Sequence, residues 1–224
     1  PHPRLGAALS ERTRVRRLPD LQVAEREALD GVLDAGRVAH VAVVGGGHPL
    51  VIPLAYARDG DRLLLHGSTG SRAMRWLATG APTCVTVTLL DGYVLARAAV
   101  ETSMRYRSAM LLGSFTSVTD HDAKTVALQL ISDHAVPGRW ADLRPPTRKE
   151  LAATAVLAMP VIEWSLKVSD GWPTDTDDDR DRPVWAGVVP LSAQIGRGIP
   201  DPARRGDPPV PAYLDDVPSP GLHV

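Results

Sequence analysis

The run His66-Gly67-Ser68-Thr69-Gly70-Ser71-Arg72 gathers an imidazole, three hydroxyls and a guanidinium around two glycines. It links an apolar, strand-like stretch at 62–65 to a helix-like one at 73–78. Gly67 and Gly70 allow the backbone to turn with its N–H groups exposed, Ser68, Thr69 and Ser71 offer hydroxyls, and the following helix aims its positive end at the same point. Arg72 adds a permanent cation whose fork matches phosphate oxygens. A hydrogen bond to a charged group contributes about 1.5–3 kcal/mol, so a few converging donors can hold a phosphomonoester. The same composition also makes an ordinary capped helix after a βα turn, because Gly and Ser are the default turn and cap residues. On these residues alone both readings stay open.

Two further segments carry polar chemistry. Ser103-Met104-Arg105-Tyr106-Arg107-Ser108 stands just before an apolar strand. Its arginines, with Tyr106 as platform or donor, could complete an anion site, or could be edge-strand surface whose Arg stems cover apolar neighbours. In Val51-Ile52-Pro53-Leu54 the proline must sit at an edge or a bulge, since it has no ladder donor. A broken ladder leaves N–H and C=O groups able to meet the hydrogen-bonding rim of a flat heterocycle.

Other motifs exclude more than they support. No helix follows Gly45-Gly46-Gly47, so it reads as a hairpin turn and not a nucleotide loop. The histidines at 2, 40, 48, 66, 121, 134 and 223 lack the spacing of a helical zinc pair. Asp175, Asp177, Asp178, Asp179 and Asp181 lack the glycine and terminal glutamate of a calcium loop and read as a solvated turn. No Gly-x-Ser-x-Gly elbow is present, and the single cysteine, Cys84, sits in an apolar run as a core residue.

The 224 residues carry 25 Lys and Arg against 26 Asp and Glu, a formal charge of −1, which excludes a broad basic face for nucleic acid. One cysteine rules out an internal disulfide framework, and no apolar stretch reaches the ~18 residues of a membrane span, so a cytoplasmic setting is expected. The pattern predicts a basic, irregular extension at 1–19, a β domain over 20–191 and a Pro-rich arm at 192–224. Within the domain it predicts a helix from Asp20 to Gly36, a loose hairpin about the triple glycine, a strand and helix around the Gly/Ser loop, and a hairpin at Asp91-Gly92 between strands at 84–90 and 93–99. A strand at 108–118, a helix capped at Asp120 or Asp122, a capping box at Thr147 and one long strand at 156–168 follow. Antiparallel neighbours joined by tight turns argue for a mainly β, antiparallel barrel with peripheral helices.

In order along the chain, Val51-Ile52-Pro53, Leu65-His66-Gly67-Ser68 with Ser71-Arg72, Ser103-Met104 with Tyr106-Arg107-Ser108, Gly113, Pro137-Gly138-Arg139-Trp140, Arg144-Pro145-Pro146-Thr147, Glu150, Ser165-Leu166-Lys167 and residues 185–191 resemble the pyridoxamine 5′-phosphate oxidase-like family of FMN-binding split barrels, in its flavin-nucleotide-binding branch. The resemblance spans about residues 14–191 and implies a split β-barrel homodimer, with FMN in a cleft at the subunit interface. By that resemblance His66, Gly67, Ser68, Ser71 and Arg72 hold the phosphate, Val51, Ile52, Pro53 and Leu54 back the ring, Tyr106, Arg107 and Ser108 border the cleft, and Trp185 approaches from the other subunit. It implies an FMN-dependent oxidoreductase acting on a small molecule, with an FMN- or haem-binding carrier as the alternative. Where the branch reads two histidines before Ser103 and an asparagine before Tyr106, this chain has Glu101, Thr102 and Arg105, and Ser169 replaces an arginine after the last strand. These exchanges remove imidazoles from the cleft and move positive charge.

Overall fold

Alternating apolar and polar residues set up two antiparallel sheets that share one core. The computed structural model describes residues 10–206 and 208–219; the remaining parts of the two expected extensions, with His2 and His223, lie outside them. In chain order the elements are β1 (Gln22–Val23), α1 (Arg26–Ala35), β2 (Ala39–Gly45), β3 (His48–Leu54), β4 (Tyr56–Asp59), β5 (Arg62–Ser68), α2 (Arg72–Ala78), β6 (Thr83–Leu95), β7 (Ser103–Gly113), β8 (Thr116–Ser117), α3 (His121–Ala135), α4 (Arg148–Ala153), β9 (Thr154–Pro160), β10 (Glu163–Ser169), α5 (Asp177–Arg180) and β11 (Gly187–Pro190). The larger sheet runs β1-β10-β7-β6-β2-β3, with β11 also on β6, and the smaller runs β4-β5-β9-β8. The fold is the antiparallel, mainly β split barrel with peripheral helices.

One face of the large sheet supplies the core. Ala39, Val41 and Val43 alternate inward on β2, Val85 and Val87 on β6, Ala109 and Leu111 on β7, and Trp164 and Leu166 on β10. Leu63, Leu65, Leu157 and Met159 of the small sheet meet them, and α1 closes the end with Leu29 and Leu33. On the other side of the small sheet, Leu64, Val156 and Ala158 pack under Ala127 and Ile131 of α3.

Several local expectations yield to tertiary pairing. The triple glycine makes a tight two-residue turn, with Gly46 and Gly47 at φ 63° and 81° between the paired Gly45 and His48. Asp91-Gly92 is no hairpin: β6 runs straight through it as a 13-residue strand with a bulge at that point. Asp91 is held there by Arg107 on the neighbouring strand, at 2.9 and 2.7 Å, and β11 pairs across Gly92. The chain reverses instead through a short turn at Ala99–Glu101. The expected strand at 156–168 breaks at Pro160 into β9 and β10, one in each sheet. The segment from Ser103 to Ser108 is itself the first half of β7, and the strand ends at Gly113. Helix α1 starts only at Arg26, because Gln22 and Val23 pair with β10 and the Gln22 amide bonds Thr13 O and Val15 N–H. Ser10 and Arg12 reach Glu163, tying residues 10–15 to the barrel.

The acidic loop is not wholly solvated either. Asp175 is buried and accepts the N–H groups of Arg97 and Ala98 and the Arg97 guanidinium at 3.0 Å. Burial raises its pKa, but those hydrogen bonds outweigh it and hold the carboxyl below its usual range.

His134 fastens α3 to the end of α1: its Nε2 lies 2.7 Å from Gly36 O, so that nitrogen carries the proton, and its ring leans on Tyr56. Burial lowers its pKa, against the opposing pull of the Gly36 carbonyl. The unfolded chain therefore takes up this proton first as pH falls. Stability from His134 is intact above the unfolded value of about 6.5 and is lost as pH drops through the depressed folded value. His134→Gln keeps a donor for Gly36 O, and we expect its melting temperature to fall less steeply than that of the unmutated chain between about pH 7 and about pH 5. Parallel slopes in thermal melts would contradict this.

Candidate functional site

Strand β3 is the outer edge of the large sheet. Pro49 and Pro53 have no N–H, so their amide sides face away from β2. By the alternation of a ladder, Val51 between them turns its N–H and C=O to the same free edge. That short edge offers one donor flanked by acceptors, a pattern suited to the rim of a flat heterocycle.

At Ala55 the chain bends from β3 into β4, and β5 returns antiparallel with Tyr56 opposite Leu65. Residues 62–68 pair on their other side with β9, so β5 belongs to the small sheet while β3 edges the large one. The Gly/Ser loop leads into α2, whose Trp76 ring lies against Gly45, and that contact links the loop to the β2–β3 hairpin. Inside the loop most N–H groups are committed: Thr69 N to Ala153 O, Gly70 N to Ser68 Oγ, Ser71 N to Ser68 O, and Met74 N to the capping Ser71 Oγ. The hydroxyl protons of Ser68 and Ser71 and the first N–H groups of α2 are left to face a ligand. With seven residues α2 is short, so side chains and not the helix dipole dominate the anion chemistry.

Arg72 is exposed and has no carboxylate partner among the described residues; its guanidinium stacks on Trp76, 5.0 Å from the ring centroid. The Trp76 ring in turn lies against Gly45 at the β2–β3 turn. Gly67 is required by packing and not by φ, since a Cβ there would stand 2.9 Å from Met74 Cγ. His66 points to the α3 side of the small sheet, beside Val156. Its Nδ1 is buried with no hydrogen-bond partner, and burial lowers its pKa, keeping the ring neutral.

The outer face of the large sheet collects several of the expected residues. Val51, Pro53, Tyr106 and Ser108 lie on it, with His40 beside Pro53 and Thr88 bonded to Ser108 at 3.0 Å. The bulge at Asp91 keeps Tyr93 and Met104 on this face, next to Val189 of β11. Trp185 joins them, its ring over Gly187 and 65% exposed. A cavity of about 480 Å³ opens at the Pro49 end, floored by Ala42, Cys84 and Leu112. Cys84 is thus half-exposed and not core, and burial raises its thiol pKa.

Not every expected residue faces the β3 edge, the Gly/Ser loop or the outer face of the large sheet. Arg107 turns from that face into its bidentate pair with Asp91. Ile52 and Leu54 alternate inward, and Leu54 packs against the core. The residues at the family's altered positions build a strap: Glu101 accepts from Thr174, Arg105 donates to Gly171 O and covers Trp172, and Ser169 donates to Met104 O. Sequence reasoning missed His40 and Trp76. The i, i+4 spacing of Arg72 and Trp76 in a helix was the available signal for the second.

The free edge makes one sharp prediction. Val51→Pro removes the single edge donor at a position flanked by tolerated prolines, and we expect ligand affinity to fall about three- to tenfold with the fold intact. Unaltered affinity in a flavin titration would remove the edge from the site.

The sequence profile described as pyridoxamine 5′-phosphate oxidase matches residues 25–168. A solved structure described as the FAD and haem binding protein from Mycobacterium smegmatis is 47% identical, with a TM-score of 0.85 over 89% of this chain and 98% of that one. The flavocytochrome Anf3 from Azotobacter vinelandii is 38% identical, with a TM-score of 0.88 over 93% of this chain and 97% of that one. A search of curated proteins finds no match. With more than half its length under the profile and two near full-length relatives above 30% identity, the chain belongs to the pyridoxamine 5′-phosphate oxidase-like family.

Proposed function

We propose that the chain is a flavin-dependent oxidoreductase acting on a small molecule, working as a homodimer. The observation that carries this is a pair of features in one chain: a strand edge with one donor between acceptors, and a loop bearing two serine hydroxyls and an arginine with no carboxylate partner among the described residues. Those two features, a ring-edge reader and a phosphate seat, suit one flavin nucleotide. Flavin, when bound, supplies acceptance and return of two electrons. Ser68, Ser71 and Arg72 anchor the phosphate, Val51 fixes the ring rim, and Tyr106 and Ser108 shape the approach on the outer face. Exposed Leu90, Tyr93 and Met104 lie together where β6 and β7 pair and form the apolar patch a second copy would cover, with Trp185 at its border.

A haem-binding reading has its own support. Two imidazoles, His40 on the outer face and His66 in β5, make no hydrogen bond among the described residues, and both close relatives are described as haem or cytochrome proteins. The visible spectrum and mass of the cofactor released from purified protein test both readings. Flavin bands support the first, an added Soret band lost in His40→Ala or His66→Ala supports the second, and a colourless protein that takes up neither FMN nor FAD overturns the proposal. Reduction of bound flavin by NADH or NADPH with turnover of an acceptor separates an enzyme from a carrier.

A further inference from the structure

We propose that the cavity of about 480 Å³ on the outer face of the large sheet holds the apolar body of an uncharged small molecule, and that this molecule is the substrate. The substrate role rests on the flavin reading above and deepens it. The volume falls within the ~300–1,000 Å³ of small-molecule pockets. Strand register explains both its place and its shape. Val51, Ala42, Cys84, Leu112 and Glu163 pair in turn across β3, β2, β6, β7 and β10, so they form one straight row on this face. At one strand spacing per step the row is about 19 Å long. Its middle is low because Ala42 and Cys84 are small, while Val44 and Pro49 of the next row stand along its flank. The row begins at Val51, the one donor of the recognition edge, so a molecule lying in the trough has one end beside the place where a ring rim is read.

The far end of the row sets the charge of the occupant. Arg12 donates to the Glu163 carboxylate through Nε at 3.1 Å and Nη2 at 2.5 Å, and the Ser10 hydroxyl joins the same group. Among the described residues these are the only charged side chains that line the cavity, and they cancel. Pro49 and Pro82 bring no N–H to the walls, and Thr83 gives its hydroxyl proton to Ala81 O at 2.9 Å. What remains for a polar contact is the Ser114 hydroxyl, which makes no hydrogen bond among the described residues. A carboxylate or ammonium entering this space gives up its water and finds each counter-charge already engaged. A molecule with an apolar body and a single hydrogen-bonding group meets no such cost.

Full-length protein loaded with FMN is titrated with two matched probes: N-phenyl-1-naphthylamine, which is uncharged, and 8-anilino-1-naphthalenesulfonate, the same aromatic body with one sulfonate added. Cys84 is the only cysteine of the chain and lines the cavity, so its labelling by N-ethylmaleimide, read by intact mass, reports on the floor. We expect the uncharged probe to bind at least about tenfold more tightly than the sulfonate, to slow the labelling of Cys84 and to shift the visible bands of the bound flavin. Cys84→Leu fills the trough and should weaken the uncharged probe at least about tenfold, with FMN affinity unchanged as the sign that the variant is folded. Glu163→Gln frees Arg12 and should raise sulfonate affinity about tenfold while leaving the uncharged probe where it was. Equal affinity of the parent chain for both probes, unprotected Cys84, or indifference of the uncharged probe to Cys84→Leu would each overturn the proposal. Labelling that slows with rising protein concentration and no probe would mean that a second copy fills the trough, which overturns it as well. Protection of Cys84 without any change in the flavin bands would overturn the substrate role and leave the flavin reading standing. A chain that binds no FMN overturns that reading instead, and Cys84 protection in the flavin-free chain still decides what the cavity holds.

Discussion

Arg72→Ala is expected to weaken FMN binding by about ten- to a hundredfold, following the ~1.5–3 kcal/mol of a charge-assisted contact. The side chain is exposed and makes no ion pair among the described residues, so its loss leaves no buried group unsatisfied. Stability should fall by no more than the ~0.5–1 kcal/mol of its exposed stacking on Trp76. Riboflavin, which has no phosphate, should bind the variant and the parent equally. Isothermal titration with the two ligands decides the matter: a loss shared by riboflavin means Arg72 acts through the ring or the fold, and no loss with FMN removes it from the phosphate seat.

Gly45→Ala is expected to destabilise the chain by about 1–3 kcal/mol, because the new methyl would stand 2.1 Å from the Trp76 ring. The ring cannot simply swing away, since it packs against the core and supports Arg72. The substitution should therefore lower both the melting temperature and FMN affinity. A double-mutant cycle separates this from any effect on the turn: in a Trp76→Ala background Gly45→Ala should cost little. If the cost persists there, the steric account is wrong.

Much of this architecture is written locally. The Thr147 capping box forms with Glu150, Asp120 caps α3, Ser71 caps α2, and the two glycines of the β2–β3 turn take the positive φ that a tight hairpin demands. Local chemistry failed where a distant strand decided the outcome. Asp91-Gly92 has the composition of a turn, but the Arg107 guanidinium and the β11 backbone give Asp91 and Gly92 better partners inside a ladder. The division of residues 156–168 between two sheets falls just after Pro160, and one proline does not announce a change of sheet. Asp175 looked like its solvated neighbours because nothing near it in sequence reveals the Arg97 turn that receives it. At the site, the Gly/Ser loop and the Val51 strand were legible as separate pieces. That Arg107 turns away while His40 joins the open face follows from strand parity, which only the register fixes.

The two prolines on β3 have an effect beyond recognition. An uncovered border strand is ordinarily a template on which foreign chains zip together, since each exposed amide invites another. Between Pro49 and Pro53 only Val51 can donate outward, so a stray polypeptide finds no continuous row to grip. The molecule can thus keep its recognition edge bare before any cofactor arrives, without becoming a nucleus for aggregation.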